Sequence, residues 1–193
     1  MQKVERLKEL NELIFLETSI CYPGRQVVPG EGKFNAELLL IGEAPGSDEE
    51  REGRPFVGRA GKNLINFLDA IGLNRKELYI TNVVKIRPFK LSEKTGKPVN
   101  RPPDLTEKDF FSRYLYKEID IIMPKVIVTL GNVPLQSILR DKTAAIGEYH
   151  GRITCFGGNN IFPLYHPAAI IYNRSLKEVY NEDIFKLREY LDI

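Results

Sequence analysis

Cysteine is nearly missing from this chain of 193 residues: Cys21 and Cys155 are the only two, far apart and outside any CxxC pair. That excludes a disulfide framework and a four-thiolate metal site made from the chain's own cysteines. Histidine is equally scarce, and a zinc site drawn from Cys21, Cys155, His150 and His166 matches no known ligand spacing. Charge of one sign is not in excess either. The net charge of +2 is too small to imply a polyanion partner by itself. Long apolar runs are absent: "LLLI" and "VIVTL" fall far below the roughly 20 residues of a membrane span. The N-terminal "MQKVERLKEL" has no apolar signal core, so a cytoplasmic protein is expected, with no membrane partner.

What is present is ordinary globular composition, 42% hydrophobic and 28% charged, enough for one domain over residues 1–193. Val4, Leu7, Leu10, Leu13 and Ile14 recur at helical spacing and predict an amphipathic first helix over about sixteen residues. "AELLLIG", "LYITNVVKI", "KVIVTLG" and the stretch ending in "LYHP" read as four apolar strands, the last preceded by a hairpin around Gly157 to Asn160. Between them lie helical patterns at Leu64 to Ile71, from Thr106 to Pro124, and in "VPLQSIL"; Leu176 to Leu191 closes the chain. "RPFKLSEKTGKPVNRPPD" reads as a long polar loop. Strands alternating with helices imply right-handed crossovers and an α/β fold: a three-layer α/β/α sandwich with a central, mainly parallel four-stranded sheet.

In such sheets, sites gather at the carboxyl ends of the strands. Those ends deliver "GEAPG", "NVVK", "LGN" and "HPAA". The glycine-rich loop after the first strand matches neither phosphate fingerprint: there is no G-x-x-x-x-G-K-[ST] and no G-x-G-x-x-G with its acidic partner. A nucleotide-dependent enzyme is therefore disfavoured. Glu43 and Glu49 bracket Pro45 and Gly46, a pair suited to fixing a backbone turn beside a ligand. Phe56 offers a flat apolar plate, and Asn82, within a strand, carries the donor and acceptor needed to read a base edge. Taken singly, each residue has a plainer reading, as a satisfied amide or a core ring. His166, beside Pro167 at a strand end, is open to either a structural or a catalytic role, and His150 reads as a surface or hinge residue. From Lys85 to Arg101 a local basic run includes Lys85, Arg87, Lys90, Lys94, Lys97 and Arg101 against Glu93.

Four stretches, "GEAPGSDEEREGRPFVGRAG", "TNVVKIRP", "PKVIVTLG" and "YHPAAI", resemble in order and spacing the sequence blocks of the family-four uracil-DNA glycosylases, over nearly the whole chain. The resemblance implies a DNA repair enzyme that flips uracil out of DNA and hydrolyses its N-glycosidic bond. It makes His166 the donor to the departing uracil and Asn82 the reader of its pairing edge. Phe56 becomes the stacking plate, Glu49 the wall against thymine's methyl, and Glu43 the group that places water or stabilises the cationic sugar. The "PAAIIYNRS" stretch resembles the DNA-intercalating loop, with Ile170 or Ile171 as wedge and Arg174 on phosphate. Lys85, Arg87, Lys90 and Arg101 would then grip the DNA backbone.

One departure concerns the cofactor. Members of that family usually carry a four-iron cluster on four cysteines, and the matching positions here are Phe15, Thr18, Ile86 and Phe111, with Cys21 just outside. The expectation is a cofactor-free, metal-free monomer acting on uracil-containing DNA. The rival is a non-catalytic relative that binds uracil or DNA; a covalent DNA trap through His150 finds no basic motif around that residue.

Overall fold

The computed structural model describes residues 2–191. Its order is α1 (Gln2–Cys21), β1 (Glu31–Gly32), β2 (Leu38–Gly42), α2 (Ser47–Glu52), α3 (Arg59–Ala70), a 3-10 turn (Arg75–Glu77), β3 (Tyr79–Asn82), β4 (Phe89–Leu91) and β5 (Pro98–Asn100). There follow α4 (Leu105–Ile122), β6 (Val126–Leu130), α5 (Asn132–Leu139), α6 (Ile146–Tyr149), β7 (Thr154–Phe156), β8 (Asn159–Leu164), α7 (Pro167–Tyr172) and α8 (Leu176–Leu191).

The main sheet runs β1-β3-β2-β6-β8-β7. Its centre is the expected set of four parallel strands, β3, β2, β6 and β8. Short antiparallel strands, β1 against β3 and β7 against β8, widen it to six. Every residue of β2 and β6 is buried, which is why both read as unbroken apolar runs rather than alternating ones.

Side chains still alternate between the two faces. Leu39, Ile41, Tyr79, Ile127 and Ile161 meet α1, α4 and α5, while Leu38, Leu40, Ile80, Val128 and Phe162 meet α3, α7 and α8. Burying each of the large aliphatic chains on β2 contributes about 1.5–3 kcal/mol, so this strand anchors both layers.

Helix starts follow their caps. Asp104 accepts from the Glu107 N–H at 2.9 Å while Glu107 accepts from the Asp104 N–H at 2.9 Å, so α4 begins at Leu105, a residue before the sequence pattern suggests. Two features of the "loop" regions differ from expectation. β3 stops at Asn82, short of the full "LYITNVVKI" run, and the polar stretch after it holds the small hairpin β4–β5, whose exposed residues gave no alternating signal. The short helices α2, α6 and α7 were not legible either.

Candidate active site

The site is built where β2, β3, β6 and β8 end. β2 and β3 run in register, with Gly42 opposite Asn82. A Cβ on Gly42 would lie 2.4 Å from Asn82 Oδ1 and 2.5 Å from Phe56 Cζ, so only glycine lets the amide and the ring close over this strand end. Gly131, just past β6, has φ +91° and brings its Cα within reach of the His166 segment, where a Cβ would stand 3.2 Å from His166 Cβ. Phe56 and His166 rings lie 6.2 Å apart, centroid to centroid.

A cavity of about 300 Å³ opens there, lined by Glu49, Phe56, Asn82 and His166 together with Asn100 and Tyr172. Four of the sequence-derived site residues therefore share one cavity, in the size range of small-ligand clefts. Glu43 is the exception: the lining passes from Ala44 to Gly46, and its half-buried carboxyl has no hydrogen-bond partner among the described residues. Burial raises the Glu43 carboxyl above its ordinary value, against a lowering pull from the Lys108 ammonium.

Each wall is held differently. Phe56 adopts the left-handed region at φ 53°, a costly conformation for an aromatic residue. Arg75 clamps it, donating to the carbonyls of Phe56 at 3.0 Å and Pro55 at 2.6 Å, and Arg75 is itself paired with Glu31. The Glu49 carboxylate accepts backbone N–H groups from Gly46 at 3.0 Å, Val57 at 3.1 Å and Gly58 at 2.8 Å, so it cannot swing without losing all three. Asn82 is only 3% exposed, yet its side-chain amide makes no hydrogen bond among the described residues. That amide faces the cavity with its donor and acceptor unspent.

His166 caps α7: its Nδ1 accepts from the Ala168 N–H at 3.1 Å. An accepting Nδ1 places the proton of the neutral ring on Nε2, which is then free to donate. Burial pushes the imidazole down from 6.5 to about 4, against the raising influence of Glu49. At neutral pH His166 is thus a neutral N–H donor, not a cation.

The basic run fares differently. Lys85 is fully buried, where its ammonium donates to Glu118 and Thr81 and, at 2.8 Å, to the carbonyl of Asn82. Its expected grip on DNA is corrected: an inward-facing ammonium on a carboxylate cannot reach a phosphate. Arg87 is 9% exposed and engaged with Glu50 at 3.1 Å and Asn100 at 2.7 Å, bracing the hairpin against α2. Arg101 makes two hydrogen bonds to Glu107, both 2.7 Å, and is spent on the α4 cap. Ile170 is 8% exposed and belongs to the core, so it is no wedge; Ile171 and Tyr172 line the cavity instead. Arg174, expected on phosphate, is exposed.

His150, expected at the surface, pairs through Nδ1 with the buried Asp183 at 2.6 Å and joins α6 to α8. The positions aligned with cluster cysteines cannot hold iron. Ile86 and Phe111 are fully buried, Thr18 is buried, Phe15 is half exposed, and none offers a thiolate. Tyr22 stacks on Phe111 at 5.9 Å and meets Phe110 at 5.2 Å, so aromatic packing ties the end of α1 to α4. Among the described residues no group of three or more His, Cys, Asp or Glu side chains is placed to hold a metal.

The model of the uracil DNA glycosylase superfamily matches residues 29–187. The chain belongs to that superfamily. A type-4 uracil-DNA glycosylase of Sulfurisphaera tokodaii is 41% identical, the match covering 98% of this chain and 85% of the relative. Type-4 uracil-DNA glycosylases of Saccharolobus solfataricus and Thermotoga maritima are 41% and 38% identical, each match covering 86% of this chain and 77% and 83% of the relative. The matched span holds every residue of this superfamily member's cavity named above.

Asn100, Tyr172 and the Arg75 clamp escaped the sequence reading. Asn100 sits in a polar hairpin and Arg75 between a helix and a strand, with no local pattern to mark either; Tyr172 follows two apolar residues that read as core.

Proposed function

We propose that this superfamily member flips uracil from DNA into the cavity and hydrolyses the bond between uracil N1 and deoxyribose C1′. The observation that carries this reading is the neutral His166, its Nδ1 occupied by the Ala168 N–H and its Nε2–H free beside an unpaired Asn82 amide.

As the N1–C1′ bond lengthens, the electron pair leaves with uracil and negative charge gathers on its carbonyl oxygens, while the sugar becomes oxocarbenium-like. A neutral N–H donor gains strength as its acceptor becomes an anion, so it stabilises the transition state more than the ground state. His166 supplies that donor. Water then adds at C1′, and the proton it loses balances the one the uracil anion takes up, giving an abasic site and free uracil.

Asn82 pairs with the uracil edge, its amide oxygen accepting from N3–H and its NH2 donating to O4. Phe56 covers the base's face. Glu49, pinned by three N–H groups, makes a wall that a thymine methyl would have to displace at the cost of those bonds. Glu43 acts from just outside the lining, through its charge on the cationic sugar. Tyr172, 86% exposed at the cavity, takes the wedge role and fills the gap left by the extruded base. The protein works as a cytoplasmic monomer without a metal cluster, apolar packing standing at the positions where the family resemblance implies one.

The test is incubation with a labelled oligonucleotide carrying one uracil, followed by alkali to cut abasic sites, with a thymine-containing strand as control. Cleavage at uracil alone supports the reading. Tight binding without cleavage would favour the non-catalytic DNA-binding relative.

A further inference from the structure

Of the basic run of residues 85–101, Lys85, Arg87 and Arg101 are spent on carboxylates within the protein, while Lys90, Lys94 and Lys97 are exposed but outside the cavity lining, so cations beside the cavity come from other segments. Beside the uracil cavity, and sharing Arg59 and Ile171 with it, is a second cleft of about 560 Å³ between α3, α7 and the start of α8. Arg59 and Lys62 stand on α3, Arg174 follows α7, and Lys177 opens α8. All four side chains are exposed. None takes part in an ion pair among the described residues, and no carboxylate lines the cleft.

That concentration is not a consequence of composition, because the whole chain carries only +2. Four unneutralised cations repel one another, and a cleft that keeps them together without an internal counter-charge is stabilised by an external anion. The row lies next to the cavity mouth, and it comes from segments far apart in sequence. Its partner needs negative charges repeated along a track, which a nucleic-acid backbone provides and a single small anion does not.

We propose that this cleft is the phosphate track of the DNA strand leaving the cavity, with Arg59, Lys62, Arg174 and Lys177 contacting successive backbone phosphates. The proposal rests on the uracil-excision reading only for the identity of the strand; the track itself stands on the charge and the geometry.

The experiment compares wild type, Lys62→Ala/Lys177→Ala and a control pair in the hairpin region, Lys94→Ala/Lys97→Ala. Affinity for a labelled, uracil-free oligonucleotide is read by fluorescence anisotropy over a range of salt concentrations, and excision kinetics are followed on the uracil-containing strand. Each lost phosphate contact makes the slope of log affinity against log salt shallower by about 0.9 on duplex and about 0.7 on single strands. The cleft pair is expected to flatten the slope by nearly twice that amount and to raise KM at least about tenfold, with kcat within about twofold of wild type. The hairpin pair is expected to leave the slope unchanged. A slope that the cleft pair does not move, or that only the hairpin pair moves, overturns the track. The two readings fail separately: a protein that excises uracil with a slope insensitive to the cleft pair loses the track and keeps the chemistry, whereas one that excises nothing but shows the flattened slope keeps the track and loses the chemistry.

Discussion

Thr81 and Asn82 are neighbours on one strand and almost wholly buried, at 1% and 3% exposure, yet their polar groups meet opposite fates. Thr81 faces α4. Its hydroxyl lies within hydrogen-bond distance of Glu118 and accepts from Lys85, and Tyr79 closes the group from the other side. Asn82 faces the opposite layer, under Phe56, with an amide that has no hydrogen-bond partner among the described residues. A buried polar group with its partners in place belongs to the architecture; one that looks into a cavity without them is set for a ligand. The missing partner is not enough alone. The hydroxyls of Thr129 and Tyr180 are also unpaired, and neither lines the cavity. The two sides of β3 are also connected, because Lys85 donates to the Asn82 carbonyl and so ties the backbone of this cavity residue to the closed network.

That contrast can be broken most forcefully from the closed side. Glu118→Ala leaves the Lys85 ammonium buried without its carboxylate, and urea unfolding should show a loss of about 3–5 kcal/mol. Replacing both partners by apolar residues, Lys85→Met/Glu118→Leu, should recover most of it; a small loss in the single variant would mean that the network is not structural. On the open side the damage should fall on rate. His166→Ala is expected to lower kcat about 10²–10³-fold, as for other lost oxyanion donors, together with about 1 kcal/mol of stability from the lost α7 cap. His166→Asn separates the two effects, since it keeps a capping acceptor and should restore stability but not turnover.

Asn82→Ala should reduce kcat/KM at least about tenfold in the excision assay, with stability unchanged or raised, because no intramolecular hydrogen bond is lost. Destabilisation comparable to that of Glu118→Ala would erase the distinction between the two sides. A further effect is in pH. The folded His166 imidazole sits at about 4, below its ordinary 6.5, so between those values the unfolded chain binds a proton that the folded one refuses. Stability should therefore fall as pH drops from about 6.5 towards 4 and level off below, and the pH-linked part of that loss should vanish in His166→Asn. Turnover should show no break near 6.5 from this residue; its acid limb should come from Glu43, whose carboxyl is raised by burial, and should move in Glu43→Gln.

Much of this was legible in the sequence for a physical reason. The four central strands are buried on both faces, so hydrophobicity alone marks them, and the strand ends then bring Phe56, Asn82 and His166 to one place. What the sequence hid depends on long-range partners. Lys85 sits in a run of basic residues and reads as solvent-facing until Glu118, 33 residues on, is seen to meet it in the core. Arg87 and Arg101 likewise looked free because Glu50 and Glu107 lie on other elements or across a cap. Of the cleft of Arg59, Lys62, Arg174 and Lys177 the sequence marked only Arg174, since its cations come from two segments more than a hundred residues apart. Charge runs along a sequence report composition, whereas charge clusters in space report folding.

Single-turnover excision from an oligonucleotide with one uracil, measured in parallel for wild type, Asn82→Ala and His166→Asn, decides whether one cavity both reads and releases uracil. Rapid release by wild type and slow release by both variants, with DNA binding retained, is the expected result; wild-type rates in either variant, or no release by the wild-type protein, would refute the shared cavity.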